Sequence, residues 1–336
     1  MNVDTLIDTI PKAELHLHIE GTLEPEMMLA LAKRNSVTLP YQSVQDVKEA
    51  FAFDCLQDFL DVYYHGMSVL VQEQDFYDLT YAYLTKVFAD AVTHVEIFFD
   101  PQAHTDRGIA FETVHDGICS ALEAGLADYG ITSRLIMCFL RHLPEEHAFD
   151  ALDCACKHKE TIYGVGLDSS EQGFPPSGFS RVFAEARRQG FVPVAHAGEE
   201  GPVEYVEGAL DDLQVQRVDH GNRAFDDPAM VKRLAAEQTP LTMCPLSNLR
   251  LKGITDLQQH PIKKALQAGI VATVNSDDPS YFGGYINDNY KAVTVALELD
   301  AADIVQLAKN SFSAAFIDDK QKQQGHDRID EIAGLK

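Results

Sequence analysis

The chain reads as an α/β protein, a closed (β/α)8 TIM-like barrel with a helical insertion after the first strand. Eight short apolar, β-branched runs, helical patterns between them, and ionisable residues gathered at their ends predict this class. The runs are Glu14–Ile19, His94–Asp100, Arg134–Leu140, Tyr163–Ser169, Val192–Ala197, Arg217–Gly221, Leu241–Pro245 and Ile270–Asp277. After the second, they start about 25 to 40 residues apart, room for one helix and two loops in each unit. Phe179–Gln189, Met230–Glu237 and Ile262–Ala268 carry the intervening helical patterns, and Gly269 suits a helix C-terminus. No Gly-x-Gly-x-x-Gly follows the first run, which argues against an open dinucleotide-binding sheet.

One interval is longer. About 75 residues separate the first run from the second, and their pattern is mostly helical. Thr22 is a candidate cap for a helix that carries Leu23, Met27 and Leu31 on one face and ends near Asn35. Phe53–Leu70 and Asp75–Phe88 add two apolar-striped segments, so the insertion spans about residues 22–90. Its position after a barrel strand gives two readings, a lid over the mouth or a peripheral packing module. With no linker or short repeat, residues 1–336 are expected to form one domain.

Composition narrows the function. Apolar residues make up 46%, enough for a sizeable core, and 27 Lys+Arg against 52 Asp+Glu give a net charge of -25. So acidic a surface repels nucleic-acid backbones and anionic lipid, so neither nucleic acid nor membrane is an expected partner. The charge itself reads as a solubility device. The sequence shows no secretory leader and no apolar run long enough for a bilayer. Cys154-Ala155-Cys156 has no second pair and reads as two reduced thiols, so a cytoplasmic location is expected. Assembly as a homo-oligomer is compatible with the sequence.

In a parallel barrel the C-terminal strand ends converge on one face, where chemistry is found. Alternation puts His16 and His18 on one side of the first strand. The fourth run ends in Asp168-Ser169-Ser170-Glu171, the fifth in His196-Ala197-Gly198-Glu199-Glu200. Asp219-His220-Gly221 ends the sixth, and Ser276-Asp277-Asp278-Pro279 the eighth. Three imidazoles and a carboxylate suit a borderline-soft divalent ion, with His16, His18, His196 and Asp277 as ligands and one position left for water. Glu199, His220 and Asp278 then exceed what a structural site needs, which argues for catalysis. Arg141 and His142, after the third run, read as braces of the rim.

These segments resemble, over nearly the whole chain, the adenosine/adenine deaminase family of zinc hydrolases. The matching pieces are Pro11-Lys12-Ala13-Glu14-Leu15-His16-Leu17-His18, His196-Ala197-Gly198-Glu199 and Asp219-His220-Gly221. They continue with Cys244-Pro245-Leu246-Ser247-Asn248 and Asn275-Ser276-Asp277-Asp278-Pro279. The resemblance implies one Zn2+ per chain, with iron or manganese as alternatives, and a metal-activated hydroxide that adds to C6 of a purine. It further implies that Glu199 protonates N1, His220 orients the attacking oxygen, Asp277 holds it with a second oxygen, and Asp278 reaches N7.

The family divides by what N9 carries. Nucleoside-specific members usually have His-x-His-x-Asp-Gly and a Gly-Asp-Glu after strand four. Here Glu20 replaces that Asp, and Asp168-Ser169-Ser170-Glu171-Gln172 stands at the second place. The Ile-Glu-Gly and Ser-Ser-Glu variants resemble the bacterial and fungal adenine deaminase branch, so the expected reaction is adenine to hypoxanthine in purine salvage. Glu20, Ser170 and Glu171 are the expected base-selective contacts, with the longer Glu171 carboxylate filling the ribose volume and accepting from N9–H. The runner-up is adenosine deaminase, then a deaminase of another 6-substituted purine, then a purine-binding protein without turnover.

Overall fold

A computed structural model describes residues 2–53 and 55–335. Its centre is an eight-stranded parallel sheet in sequential order: β1 Lys12–His18, β2 Val92–Phe99, β3 Thr132–Leu140, β4 Ile162–Asp168, β5 Val192–Ala197, β6 Arg217–His220, β7 Leu241–Met243 and β8 Ala272–Val274. The strands are buried on both faces, as apolar runs between helices require. The sheet closes through the residues after β8. Leu15 N–H donates to Asn275 Oδ1 (2.8 Å), Asp277 N–H to His16 O (3.1 Å) and His18 N–H to Asp277 O (3.0 Å). A (β/α)8 barrel results, and its seam joins two of the expected ligand strands. A register shift in the β1–β2 pairing between Glu14 and Leu17 marks a bulge at Leu15 and His16.

Two strands are shorter than the sequence suggested. After Met243 the chain turns at once into the helix Pro245–Arg250, because Pro245 has no N–H for a ladder and suits the first helical turn. Past Val274 it leaves the ladder, and Asp277 takes a left-handed conformation at φ 65°.

The barrel interior is a small apolar plug of Phe98, Ile136, Cys138 and Val194. Gly166 belongs to it, since a Cβ there would lie 2.5 Å from Cys138 Sγ. Below the plug, the fully buried Arg217 guanidinium pairs with Glu96, lies 3.5 Å from Asp219 Oδ1 and stacks 4.6 Å from the Phe316 ring. Phe316 N–H in turn donates to Glu96, so the C-terminal segment floors the barrel.

Between β1 and β2 lie a 3-10 turn, Ile19–Thr22, and the helices Pro25–Asn35, Val44–Ala50, Leu56–Met67 and Glu73–Ala89. Thr22 does not cap the first of these helices. Its hydroxyl donates to Ile19 O within the 3-10 turn, and the helix starts at Pro25 behind Glu24. The segment expected over Phe53–Leu70 forms the helix Leu56–Met67, with residue 54 outside the described residues. Phe59 packs on Tyr63 (5.0 Å between centroids) and on Phe282 (4.7 Å), which ties this helix to the short one after Asp278. Leu56, Phe59, Leu60, Tyr63 and Tyr64 line the cavity at the barrel mouth. Among the described residues no helix is long and apolar enough to cross a membrane.

Candidate active site

Three strand ends deliver a compact set of four donors. His18 Nε2 and His196 Nε2 are 3.1 Å apart, and Asp277 Oδ1 lies 3.2 Å from His16 Nε2 and 3.6 Å from His18 Nε2. Four ligands bound tetrahedrally at about 2.1 Å stand about 3.4 Å from one another, so these separations bracket what one Zn2+-sized ion requires. His16 Nε2 is buried without a hydrogen-bond partner. Burial, with His16 and His18 close by, holds the His196 pKa well below the ordinary imidazole value, so its ring is a neutral donor. The residues fit a divalent metal.

Groups behind the ligands fix their orientation. His16 Nδ1 is 3.0 Å from Thr242 Oγ1, whose hydroxyl donates to Asp219 Oδ1 at 2.7 Å. The His16 proton therefore sits on Nδ1, leaving the Nε2 lone pair for the ion. Asp168 Oδ2 is 3.5 Å from His18 Nδ1, and Asp219 Oδ2 is 3.9 Å from His196 Nδ1.

Over the donor set lies a small cavity. Glu199, His220 and Asp278 line it along with His18, His196 and Asp277. His220 Nε2 is 3.6 Å from Glu199 Oε1 and 3.8 Å from Asp277 Oδ2. The Asn248 amide nitrogen is 3.3 Å from His220 Nδ1, which puts the ring proton on Nε2, facing the cavity. Both His220 and Asp277 hold positive φ, at 63° and 65°, strain that concentrates at functional positions.

Electrostatics divide the carboxyl groups. Burial, reinforced by Asp277, pushes Glu199 well above the usual carboxylate range, and the same two causes raise Asp278. In both the protonated form is favoured. Burial also works against charge on Asp277, but His16, His220 and His18 outweigh it and hold its pKa well below the ordinary value. Burial, with His16 next to it, lowers His220 to about 3, so it is a neutral imidazole. The cavity thus sets an ionised carboxylate beside two protonated ones, the separation of acid from base that proton-transfer chemistry needs. Gly21 is required by this packing, because a Cβ there would lie 2.0 Å from Asp278 Oδ1.

Three expected substrate contacts fall elsewhere. Glu171 is buried but turned away from the cavity. Its Oε1 accepts from Gly198 N–H (2.7 Å), and its Oε2 accepts from Glu199 (3.0 Å), Glu200 (2.8 Å) and Gly201 (2.7 Å). With four backbone donors on its two oxygens, the carboxylate holds the loop that carries Glu199. Gly201 permits this approach, since a Cβ would come 2.7 Å from the Glu171 carboxyl carbon. Glu20 Oε1 accepts from Asp100 N–H (3.1 Å) and faces His104 Nε2 (2.9 Å), behind the cavity wall. Ser170 is half-buried and outside the lining; its neighbour Ser169 lies on the wall, 3.2 Å from the Tyr64 hydroxyl. Arg141 braces the rim as expected, donating to His196 O (2.8 Å) and Phe174 O (2.9 Å).

The sequence reading missed Asp100, a buried wall residue. The criterion that found the others, an ionisable group directly after an apolar strand, would have picked it at the end of β2. Tyr63, Tyr64 and Phe282 carried no comparable signal, being indistinguishable from core aromatics.

A parallel barrel with a buried three-histidine, one-aspartate cluster and neutral acids at its C-terminal mouth defines a metal-dependent hydrolase of the aminohydrolase class. The adenosine deaminase family model matches residues 11–332, and the chain belongs to that family. An adenine deaminase of Sphingopyxis alaskensis is 59% identical over 96% of this chain and 95% of its own length. One from Acinetobacter baylyi is 55% identical, covering 99% and 100%. Among solved structures, an adenine deaminase from Arthrobacter aurescens superposes with a TM-score of 0.94 at 47% identity, covering 96% of this chain and 99% of that one. An amidohydrolase from Burkholderia ambifaria with bound Zn gives 0.88 at 26% identity, covering 99% and 94%.

Proposed function

We propose that this chain hydrolyses adenine to hypoxanthine and ammonia, with Zn2+ held by His16, His18, His196 and Asp277. The observation that carries the reading is the pairing, in one cavity, of the ligand cluster with Glu199, a carboxyl whose acid form is favoured by burial and by Asp277. Full-length similarity to proteins named adenine deaminase supports the substrate, and the Zn-containing neighbour supports the metal.

When bound, the ion supplies a Lewis acid that brings the pKa of a water to about 7. The chain's own groups do the rest. Glu199 donates its proton to N1 while the water oxygen bonds to C6, so no negative charge builds up on the ring. His220 points its Nε2–H at the attacking oxygen and fixes its approach. Asp277, held ionised by the neighbouring histidines, accepts the water proton on Oδ2 and returns it to the departing nitrogen. Asp278, a neutral acid, donates a hydrogen bond to N7. As ammonia leaves, the new C6 hydroxyl gives its proton to Glu199, which restores the acid and leaves the 6-oxo product. The residues of Leu56–Met67 exclude bulk water from these transfers. Six free cysteines fit a reducing, cytoplasmic setting.

Following adenine conversion by ultraviolet absorbance before chelation, after it and after Zn2+ is restored tests this reading. Loss and recovery of hypoxanthine formation is expected; turnover that survives complete metal removal would contradict it.

A further inference from the structure

We infer that Asp100 is the residue that selects a free base, its carboxyl oxygen accepting the N9–H that nucleosides lack. The inference rests on the reading of the site as an adenine hydrolase, with N1 at Glu199 and N7 at Asp278. Those contacts leave the N3–N9 edge to the rest of the lining, which includes residues at the ends of β2 and β4 and on the Leu56–Met67 helix.

On that wall Asp100 is the group suited to an N–H donor. It is 3% exposed, it lines the cavity, and its Oδ1 has no hydrogen-bond partner. The residue stands at the N-cap of the helix Pro101–Thr105, a place where Asp commonly bonds its own helix, yet its side chain makes no capping bond. Glu20 accepts its backbone N–H, and its carbonyl accepts from Ala103, so the main chain is fixed while Oδ1 keeps no hydrogen-bond partner.

The neighbouring groups are committed or of the wrong polarity. Asp168 also lines the cavity, but its Oδ2 is 3.5 Å from Nδ1 of the ligand His18, which commits it to that imidazole. The Ser169 hydroxyl is shared between Tyr64 Oη and His142 Nδ1, at 3.2 and 2.8 Å. Tyr63 Oη is also buried without a partner, but a phenol is foremost a donor and meets N3 better than N9–H. Asp100 Oδ1, buried at the cavity and without a partner, is the acceptor left on this wall. A substituent on N9 removes the donor and also pushes its first carbon against this oxygen. Glu171, with four backbone N–H groups on its carboxylate, cannot do this work.

The test compares adenine with 9-methyladenine as substrates, or as competitive inhibitors where turnover is too slow, for wild type, Asp100→Ala and Asp100→Asn. Metal content and thermal unfolding certify each protein. Ammonia release from adenine by wild type upholds the parent reading; its absence overturns that reading and leaves the affinity ratio to judge Asp100. In Asp100→Ala, kcat/KM for adenine should fall about 10- to 100-fold, the effect of losing one buried hydrogen bond. 9-Methyladenine should hold or improve, so the discrimination collapses. Asp100→Asn keeps a carbonyl acceptor, should fall between, and carries the test if the alanine variant does not fold. Equal losses for both compounds, or an unchanged ratio, in folded and metal-loaded variants would overturn the inference.

Discussion

Glu171→Gln separates the role seen for this side chain from the one its sequence position suggested. The carboxylate accepts four backbone N–H bonds, one on Oε1 and three on Oε2. The glutamine oxygen can keep the trio, but its NH2 then faces Gly198 N–H, donor against donor. One charge-assisted bond worth about 1.5–3 kcal/mol is lost, the other three become neutral, and a buried N–H is left unpaired. A loss of about 3 kcal/mol in unfolding free energy follows, read from urea denaturation of the metal-loaded protein. The loop also aims Glu199, so kcat should drop among molecules that remain folded, while the ratio of adenine to adenosine turnover stays put. A variant within about 0.5 kcal/mol of wild type, or one that gains adenosine turnover, would refute this assignment.

Four further outcomes are expected. Glu199→Gln should reduce kcat by about 10²- to 10⁴-fold while metal content by atomic emission is unchanged, since it removes the acid and spares the ligands. Because burial raises Glu199, its acid form is lost as pH rises, so the wild-type rate should fall on the alkaline side, while His220, lowered to about 3, adds no limb of its own near pH 6.5. Glu14, buried against Ser276 and Tyr83, is raised by burial to about 7, so its contribution to stability is present below its unfolded pKa and is lost as pH rises through 7. Glu14→Gln should therefore leave thermal stability near wild type at pH 5 and raise it relative to wild type at pH 8. Arg217→Met strands the Glu96 carboxylate inside the barrel and should cost about 3–5 kcal/mol by denaturant titration.

The barrel was legible because a parallel sheet covered by helices must be written as apolar runs at a regular spacing; Val192–Ala197 and Ile262–Ala268 match the structure residue for residue. Strand ends blurred where the chain turned on a single residue. Pro245 ends β7 early, and β8 stops at Val274, short of the left-handed Asp277, neither of which hydrophobic pattern registers. At the site, the four metal donors converge as their strand positions implied. Glu171 shows where sequence runs out: a carboxylate one turn beyond a strand can face substrate or fold back onto backbone N–H groups. That choice depends on Gly201, thirty residues away in the chain and adjacent only in space. Asp100 was open to the same reasoning as its neighbours, yet its significance emerges only from the capping bond it does not make.

Ammonia release by the Zn2+-loaded protein with adenine and adenosine side by side tests the central claim most directly. The account predicts rapid release from adenine and little from adenosine. Preference for adenosine would keep Glu199, His220 and Asp277 in their places and contradict the base-selective wall, whereas silence on both substrates with one metal bound per chain would contradict the hydrolase itself.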